Sequence, residues 1–192
     1  AQVYASEERY GEAISLFETV IREYRENSTE DSAFLATVYD NLSTAYREME
    51  RYEDAIDICT EGLNIRKDIY GKRSLDYAIS LNNLALIYYE MGILNDAADI
   101  FSEALAIKKE TLPEIHGQIS IGYFNLGLVY DKLHRDNEAL ENYRASMEID
   151  NELEAYEDVL LTAEYIAEIY ERNDMPEDAE AYRTLCSKDD VH

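Results

Sequence analysis

The segment NNLALIYYEMG, from Asn82 to Gly92, places two adjacent amides just ahead of an apolar run. The apolar residues in it, such as Leu84 and Tyr88, recur every three to four positions, which is the spacing of one face of an α-helix. A break in the pattern follows at Gly92 and Ile93. The segment therefore predicts a helix that carries its two amides beside a buried face.

The same pattern returns along the chain without a gap. Similar segments begin at Tyr39, Leu81 and Tyr123, 42 residues apart, and a further copy near the C-terminus is shifted by two residues. A fixed period of this length is typical of stacked helix pairs. The shift requires a loop or a helix two residues shorter near residues 150–157. Two antiparallel helices per unit are predicted, with breaks at Glu50-Arg51, Gly92-Ile93, His134-Arg135 and Asn173-Asp174.

Six positions of each unit carry bulky and small side chains in a fixed order, which in the middle copy are Leu84, Ala85, Tyr88, Ala97, Phe101 and Ala104. This order resembles the tetratricopeptide repeat, and the 42-residue unit is similar to the longer repeats of kinesin light chain. The resemblance implies an all-α fold, a right-handed superhelical array of antiparallel helix pairs. The loops lack the Asp-His-Pro often seen between kinesin light chain repeats, so only the architecture is carried over.

The whole chain, 1–192, is predicted to form a single array. Residues 2–8 leave the first complete helix of the pattern, Tyr10 to Tyr24, without a full partner. Val20 and Tyr24 are therefore expected to be exposed, which makes a homodimer through this end one candidate. The predicted boundaries are a partial unit at 1–31, full units at 32–73, 74–115 and 116–157, and a last unit with a capping helix at 158–192.

Asparagines recur at one position of the predicted first helices: Asn41, Asn83 and Asn125. Each precedes the leucine that is expected to point into the stack, so the resemblance implies that each faces a concave groove. An amide both donates and accepts hydrogen bonds, so a row of amides is able to hold the backbone of an extended peptide. The matching asparagines of tetratricopeptide proteins generally do this. The alternative is that these amides cap or solvate a helix surface.

Selectivity is expected from the side chains beside these asparagines. The candidates are Asn82, Leu86, Tyr89, Glu90, Arg47, Glu48, Phe124 and Leu128. The charged residues of the predicted wall are basic at Arg47, Lys132 and Arg172 and acidic at Asp40, Glu48, Glu90, Asp131, Glu164, Glu168 and Glu171. The apolar candidates predict a protein or peptide partner with hydrophobic anchors, and the mostly acidic charges predict neutral to basic flanks on that partner. The alternative is that the apolar candidates bury against a neighbouring helix or a second copy.

Acidic residues dominate the chain, because 42 Asp and Glu against 17 Lys and Arg give a formal net charge of −25. Such a surface repels phosphate backbones and anionic lipids, so neither nucleic acid nor a membrane is expected as a partner. The basic pairs Arg66-Lys67 and Lys108-Lys109 lie near predicted helix ends, where cations complement the helix dipole. The acidic segment 150–158 lacks the central glycine of an EF-hand loop, and no metal site is expected.

Motifs for catalysis are absent from the sequence: it has no phosphate-binding glycine loop, nucleophile elbow, HExxH pair or Cys-x-x-Cys. Cys59 and Cys186 each fall in an apolar helical pattern and are expected to be buried thiols. A cytoplasmic protein without enzymatic activity or cofactor is therefore expected. Three functions stay open: a peptide-binding scaffold, a regulatory module of a larger and possibly bacterial sensor or signalling protein, and a self-associating array.

Overall fold

The computed structural model describes residues 2–27 and 32–187, and the side chains of residues 9–26 and 32–185. Every regular element in these ranges is an α-helix, and the helices pack as sequential antiparallel pairs. The all-α fold predicted from the repeat is confirmed. The helices are α1 (Gln2–Asn27), α2 (Ser32–Glu48), α3 (Tyr52–Tyr70), α4 (Leu75–Glu90), α5 (Leu94–Thr111), α6 (Gly117–Lys132), α7 (Asp136–Glu152), α8 (Tyr156–Arg172) and α9 (Pro176–Ser187).

The chain divides into two compact units, residues 1–107 and 108–192. In the first unit α1 packs on α2, α2 on α3 and α3 on α4, and residues of α4 and α5 share an apolar cluster. In the second unit α6 packs on α7, α7 on α8 and α8 on α9. Helices that are neighbours in sequence are thus neighbours in space, as in a repeat array.

The turns within the helix pairs lie where the sequence predicts them. Their central residues, Glu50, Gly92, His134 and Asp174, have φ values of 56, 78, 56 and 56°. Glycine adopts this left-handed conformation freely, whereas each of the other side chains costs about 1–2 kcal/mol there. Hydrogen bonds of 2.9 Å close three of the turns, from the backbone N–H of Arg51, Ile93 and Arg135 to the carbonyl five residues earlier.

The register shift of the last copy arises between α7 and α8. Residues 153–155 alone separate these two helices, whereas residues 112–116 separate α5 from α6. As a result α8 begins at Tyr156, two residues before the predicted unit boundary at 158. The last helix is described as far as Ser187, so the end of the predicted capping helix lies outside the described residues.

The N-terminal segment differs from the predicted partial unit. Gln2–Asn27 form one uninterrupted helix, and no turn precedes Tyr10. The segment contains no proline, so nothing in its sequence forces a break. The prediction that Val20 and Tyr24 are exposed is wrong, because both are partly buried against the core of the first unit. The ring of Tyr24 also lies 6.5 Å, between centroids, from that of Phe34.

Repeat positions with bulky and small side chains form the core of each unit. In the second unit Tyr143 is fully buried and lies directly against the backbone of α6, where a Cβ at Gly127 would come within 2.5 Å of its ring. In the first unit Cys59 is fully buried, as predicted, and burial raises the pKa of its thiol to about 12. The side chain of Cys186 lies outside the described residues.

None of the described helices has both the length and the apolar content that crossing a membrane requires. Within the same described ranges, no group of three His, Cys, Asp or Glu side chains is arranged to hold a metal ion.

Candidate functional site

The three asparagines of the predicted ladder differ in exposure. Asn41 on α2 is exposed, Asn83 on α4 is half-buried, and Asn125 on α6 is only 8% exposed. The amide of Asn83 also donates a hydrogen bond to the carboxylate of Asp40. One repeat position therefore offers three different surfaces to a partner.

A recess between α2 and α4 in the first unit brings three of the predicted binding residues together. Its volume is about 200 Å³, and its lining consists of Ser43, Thr44, Arg47, Asn83, Leu86 and Ile87. The Nε–H of Arg47 is buried there, and none of the described residues accepts a hydrogen bond from it. Because a buried donor without an acceptor is costly, this recess favours an incoming hydrogen-bond acceptor.

The charged candidates beside this recess neutralise one another. Arg47 forms ion pairs with Glu48 at 2.5 Å and with Glu90 at 3.3 Å. Such partly exposed pairs contribute little stability, since water and salt screen them. The neighbouring candidates Asn82 and Tyr89 are half-buried on α4. A partner at this surface therefore meets amides, half-buried side chains and charges that are already paired.

The two apolar binding residues predicted on α6, Phe124 and Leu128, are half-buried and pack against the core of the second unit. The ring centroid of Phe124 lies 5.6 Å from that of Tyr143 and 5.4 Å from that of Tyr165, and Leu128 packs on the same cluster. Only part of each of these side chains is left for a partner to contact.

A buried ion pair joins α2 and α3 in the first unit. The Nη2 atom of Arg66 lies 2.6 Å from Oδ2 of Asp40, and its Nη1 atom donates to the backbone carbonyl of Asp76 at 3.1 Å. Ser80 donates its hydroxyl to the other carboxylate oxygen of Asp40, also at 3.1 Å. Burial raises the pKa of Asp40, although Arg66, Ser80 and Asn83 act in the opposite direction.

This arrangement corrects one expectation, because Asp40 was expected on the binding wall but is only 7% exposed. Arg66 lies near the end of α3, as predicted, and is 8% exposed. Burial is tolerated because each charge is paired and hydrogen-bonded. The repeat contained a signal for it: Arg66, Lys108 and Asp150 share one position of the 42-residue period, and all three are buried.

Asp150 holds this repeat position in the second unit, where it is 5% exposed. Its carboxylate accepts hydrogen bonds from the hydroxyls of Ser146, at 3.3 Å, and of Ser120. The two hydroxyl oxygens lie 2.9 Å apart. Burial raises the pKa of Asp150, and the charge of Asp158 acts in the same direction, while the two hydroxyls lower it.

A pocket of about 230 Å³ opens beside Asp150, between α6, α7 and α8. Its apolar rim includes Ile121, Leu153 and Leu161, all of which are exposed. Among the described residues, no lysine or arginine lines it. Its polar lining comprises Ser120, Ser146, Asp150, Asp158 and Thr162. The sequence pattern does not reveal this pocket, because the pocket depends on which side chains three helices bring together.

Lys108, the remaining member of the buried repeat position, lies near the end of α5 and is 1% exposed. Burial lowers the pKa of its ammonium group to about 8. Lys108 therefore lies near a helix end, as predicted, but it is buried there. The adjacent Lys109 does face solvent, and it donates a hydrogen bond of 2.8 Å to the hydroxyl of Tyr123.

Two family models, both described as tetratricopeptide repeat, match the chain. One matches residues 1–68 and 36–110, and the other matches residues 122–153. No curated protein matches the sequence at a significant level.

Solved structures with the same fold cover nearly all of the chain. BtubC (BKLC) from P. vanneervenii superposes with a TM-score of 0.84 at 20% identity, over 96% of this chain and 76% of that one. A candidate kinesin light chain of Podospora anserina, with nearly identical TPR-like repeats, gives 0.79 at 18% identity, over 100% of this chain and 93% of that one. The predicted resemblance to kinesin light chain repeats is confirmed.

A third neighbour is the Rap conjugation gene regulator of the plasmid pLS20, whose structure contains the Phr* peptide. It superposes with a TM-score of 0.72 at 21% identity, over 93% of this chain and 48% of that one. At such identities these likenesses establish the fold alone.

Proposed function

The chain belongs to the tetratricopeptide repeat family, and we propose that it is a non-catalytic scaffold that binds a peptide segment of another protein along the first helices of its pairs. Repeats of this family generally bind proteins or peptides. The Rap regulator, which shares the fold, was crystallised with a peptide, and this supports a peptide ligand here.

The recess between α2 and α4 is the observation that carries the proposal. It combines the amide of Asn83 with the unsatisfied Nε–H of Arg47, and Leu86 supplies an apolar side chain beside them. A peptide carbonyl provides the acceptor that Arg47 lacks, and an apolar peptide side chain covers Leu86. Polar and apolar contacts at one place are what an extended peptide with hydrophobic anchors requires.

The three asparagines contribute unequally in this proposal. Asn83 lines the recess and Asn41 is exposed, so their amides are accessible to a peptide backbone. Asn125 is 8% exposed and offers the least surface. Since one hydrogen bond adds only about 0.5–1.5 kcal/mol net, the amides hold the backbone while neighbouring side chains select the sequence.

A random peptide library displayed on phage tests the proposal. It is selected in parallel on the wild type, on the Asn41→Ala, Asn83→Ala, Asn125→Ala triple variant and on Asn83→Ala alone. Asn64→Ala is the matched control, because Asn64 is an exposed asparagine on α3, a second helix. Clones retained by the wild type and the control but lost by the triple variant support the proposal. Equal capture by all four proteins, or capture by none, contradicts it.

Self-association is a second candidate function, favoured by exposed apolar side chains in the first unit. Leu16 on α1 is 62% exposed and Phe34 on α2 is 50% exposed. We expect sedimentation velocity to give a mass that rises with concentration and that Leu16→Glu returns to the monomer value. A monomer mass at every concentration excludes this candidate. A regulatory role within a larger sensor or signalling protein stays a prediction.

A further inference from the structure

We propose that the pocket between α6, α7 and α8 binds an arginine side chain of the partner peptide, with the carboxylate of Asp150 as its counter-ion. This inference rests on the proposed function, because a peptide partner must supply the side chain. It adds the chemistry of one required residue of that partner.

Charge complementarity identifies the occupant. The pocket is lined by the carboxylates of Asp150 and Asp158, and no described lysine or arginine contributes to its lining. The hydrogen bonds that Asp150 receives come from serine hydroxyls, which carry no charge to balance it. A buried carboxylate with only neutral donors is stabilised further by a cation that forms charge-assisted hydrogen bonds with it.

The first unit contains an internal precedent for this pairing. There the same repeat position is Arg66, whose guanidinium contacts the carboxylate of Asp40 and the backbone carbonyl of Asp76. After the two-residue shift, Asp158 corresponds to Asp76 and Thr162 corresponds to Ser80. The first unit therefore places its own arginine among acidic and hydroxyl groups, whereas the second unit has an aspartate there and an open pocket.

The size and rim of the pocket suit one long side chain. Its volume of about 230 Å³ lies below the roughly 300–1,000 Å³ that is typical of small-molecule sites. Exposed Ile121 and Leu161 at the rim offer apolar contacts to the methylene groups of an arginine, while its charged end reaches Asp150. Arginine fits better than lysine, because a guanidinium is planar, binds carboxylates through two hydrogen bonds and is more weakly hydrated.

Synthetic pentapeptides test the inference directly. The probe is the acetylated and amidated peptide Ala-Leu-Arg-Leu-Ala, and its twin carries citrulline, which has nearly the shape of arginine but no charge. Each is titrated into ¹⁵N-labelled protein while the backbone amide signals are followed by NMR. We expect the arginine peptide to shift the signals of Ser120, Asp150 and Thr162. The citrulline peptide should bind about tenfold to a hundredfold more weakly, the usual effect of losing a charge-assisted hydrogen bond.

Asp150→Asn should abolish the preference for arginine over citrulline. Asparagine keeps the shape of the side chain and an oxygen that accepts from the serine hydroxyls, so the fold should persist, and the spectrum of the free variant verifies this. Glu141→Gln is the matched control, since it removes one negative charge from an exposed position of the same helix, α7, outside the pocket. Its preference for the arginine peptide should equal that of the wild type.

The inference would be overturned by equal binding of both peptides to the wild type, by an arginine preference that survives in Asp150→Asn, or by no shift of the pocket signals at millimolar peptide. An equal loss of preference in Glu141→Gln would also overturn it, because the attraction would then be that of the overall negative charge. Library clones that require Asn83 but show no arginine preference would leave the proposed function standing and remove this inference. Arginine binding at Asp150 without any clone that depends on the asparagines would support this inference and contradict the asparagine-based binding in the proposed function.

Discussion

One buried position of the repeat carries an arginine in the first unit and an aspartate in the second. Arg66 is held by a carboxylate and a backbone carbonyl of its own chain, whereas Asp150 is held by two serine hydroxyls and lies beside an open pocket. Both side chains are less than a tenth exposed. The comparison indicates that the repeat determines burial at this position, while the neighbouring residues determine which charge is tolerated there.

The difference also separates a structural role from a binding role. In the first unit the carboxylate of Asp40 is already paired with the guanidinium of Arg66, so it has no need of a cation from a partner. In the second unit the residue that corresponds to Asp40 is Phe124, and among the described residues no lysine or arginine lines the pocket beside Asp150. We therefore expect substitution of Arg66 to affect stability strongly, and substitution of Asp150 to affect ligand binding more than stability.

The largest predicted effect is that of Arg66→Met. This substitution leaves the carboxylate of Asp40 buried without its cation, and removing one partner of a buried ion pair costs about 3–5 kcal/mol. The free energy of unfolding, measured by urea denaturation with far-UV circular dichroism, should fall by this amount. Lys67→Met, at the adjacent exposed position of α3, should change it little.

The double variant Asp40→Asn with Arg66→Met should recover much of this loss, since no unpaired charge then remains. A loss in Arg66→Met no greater than that in Lys67→Met would contradict the assignment of Arg66 to a buried ion pair.

The fold was largely predictable from the sequence, because the repeated positions are those where side-chain size determines how the helices pack. Tyr88, Ala97 and Phe101 recur at a fixed period, and stacked helix pairs are the structure that buries such a pattern. The turns at Glu50 and His134 were predicted from the same register, although neither residue is a usual turn former. The continuity of α1 was not predictable in this way. The sequence near Tyr10 has neither a proline nor a pair of glycines, so it does not decide between a turn and a continuous helix.

The candidate site was less predictable, since burial of a polar residue depends on contacts between helices. Asn41, Asn83 and Asn125 share one register, yet they range from exposed to buried. Likewise, a charged residue is assigned to the surface by default, and only its partner in space makes burial possible. Aligning position 66 with 108 and 150 would have flagged the position, but not the pocket beside Asp150.

Lys108 extends the comparison to a third charge at the same repeat position, and Lys108→Met should be stabilising. The pKa of this lysine is lowered to about 8 by burial, against about 10.4 in an unfolded chain. At neutral pH the substitution should raise the free energy of unfolding by up to about 3 kcal/mol, since each pKa unit corresponds to about 1.4 kcal/mol.

The pH dependence of Lys108→Met has a definite sign. Between pH 8 and about 10.4 the folded wild type binds fewer protons at Lys108 than the unfolded chain does, so this residue makes wild-type stability rise with pH. The advantage of the variant should therefore be largest below pH 8 and shrink as the pH rises through this window. Lys109→Met, at the exposed neighbour, provides the control. A constant advantage at all pH values would contradict a charged, buried Lys108.

A double-mutant cycle transfers the pair of the first unit to the second. Phe124→Asp alone should be destabilising, because it removes the ring contacts with Tyr143 and Tyr165. Asp150→Arg alone should also be destabilising, because it introduces a buried cation while position 124, the counterpart of Asp40, carries no carboxylate. Together they restore the residue pair found at positions 40 and 66, and we expect a favourable coupling of about 1–2 kcal/mol. Urea denaturation of the four proteins measures it, and a coupling near zero would mean that the helix geometry, not the residue pair, differs between the units.

Asp150→Asn should have the smallest effect on stability and the opposite sign to Arg66→Met. Asparagine retains an acceptor for Ser120 and Ser146 and removes a carboxylate whose ionisation is opposed by burial, so the free energy of unfolding at pH 7 should rise by up to about 1 kcal/mol. Because burial raises the pKa of Asp150, the folded state holds this proton to a higher pH than the unfolded chain. Its contribution to stability is therefore present at acid pH and is lost as the pH rises through the folded-state pKa.

The wild type and Asp150→Asn should accordingly have similar free energies of unfolding below about pH 4, where the aspartate of the unfolded wild type is also protonated. Above that pH their free energies of unfolding should differ. If Asp150→Asn were instead destabilising at pH 7, the carboxylate would be held by a favourable interaction within the chain, as Asp40 is. The charge of Asp150 would then be balanced within the chain, as that of Asp40 is, and the pocket would have no need of a cation from a partner.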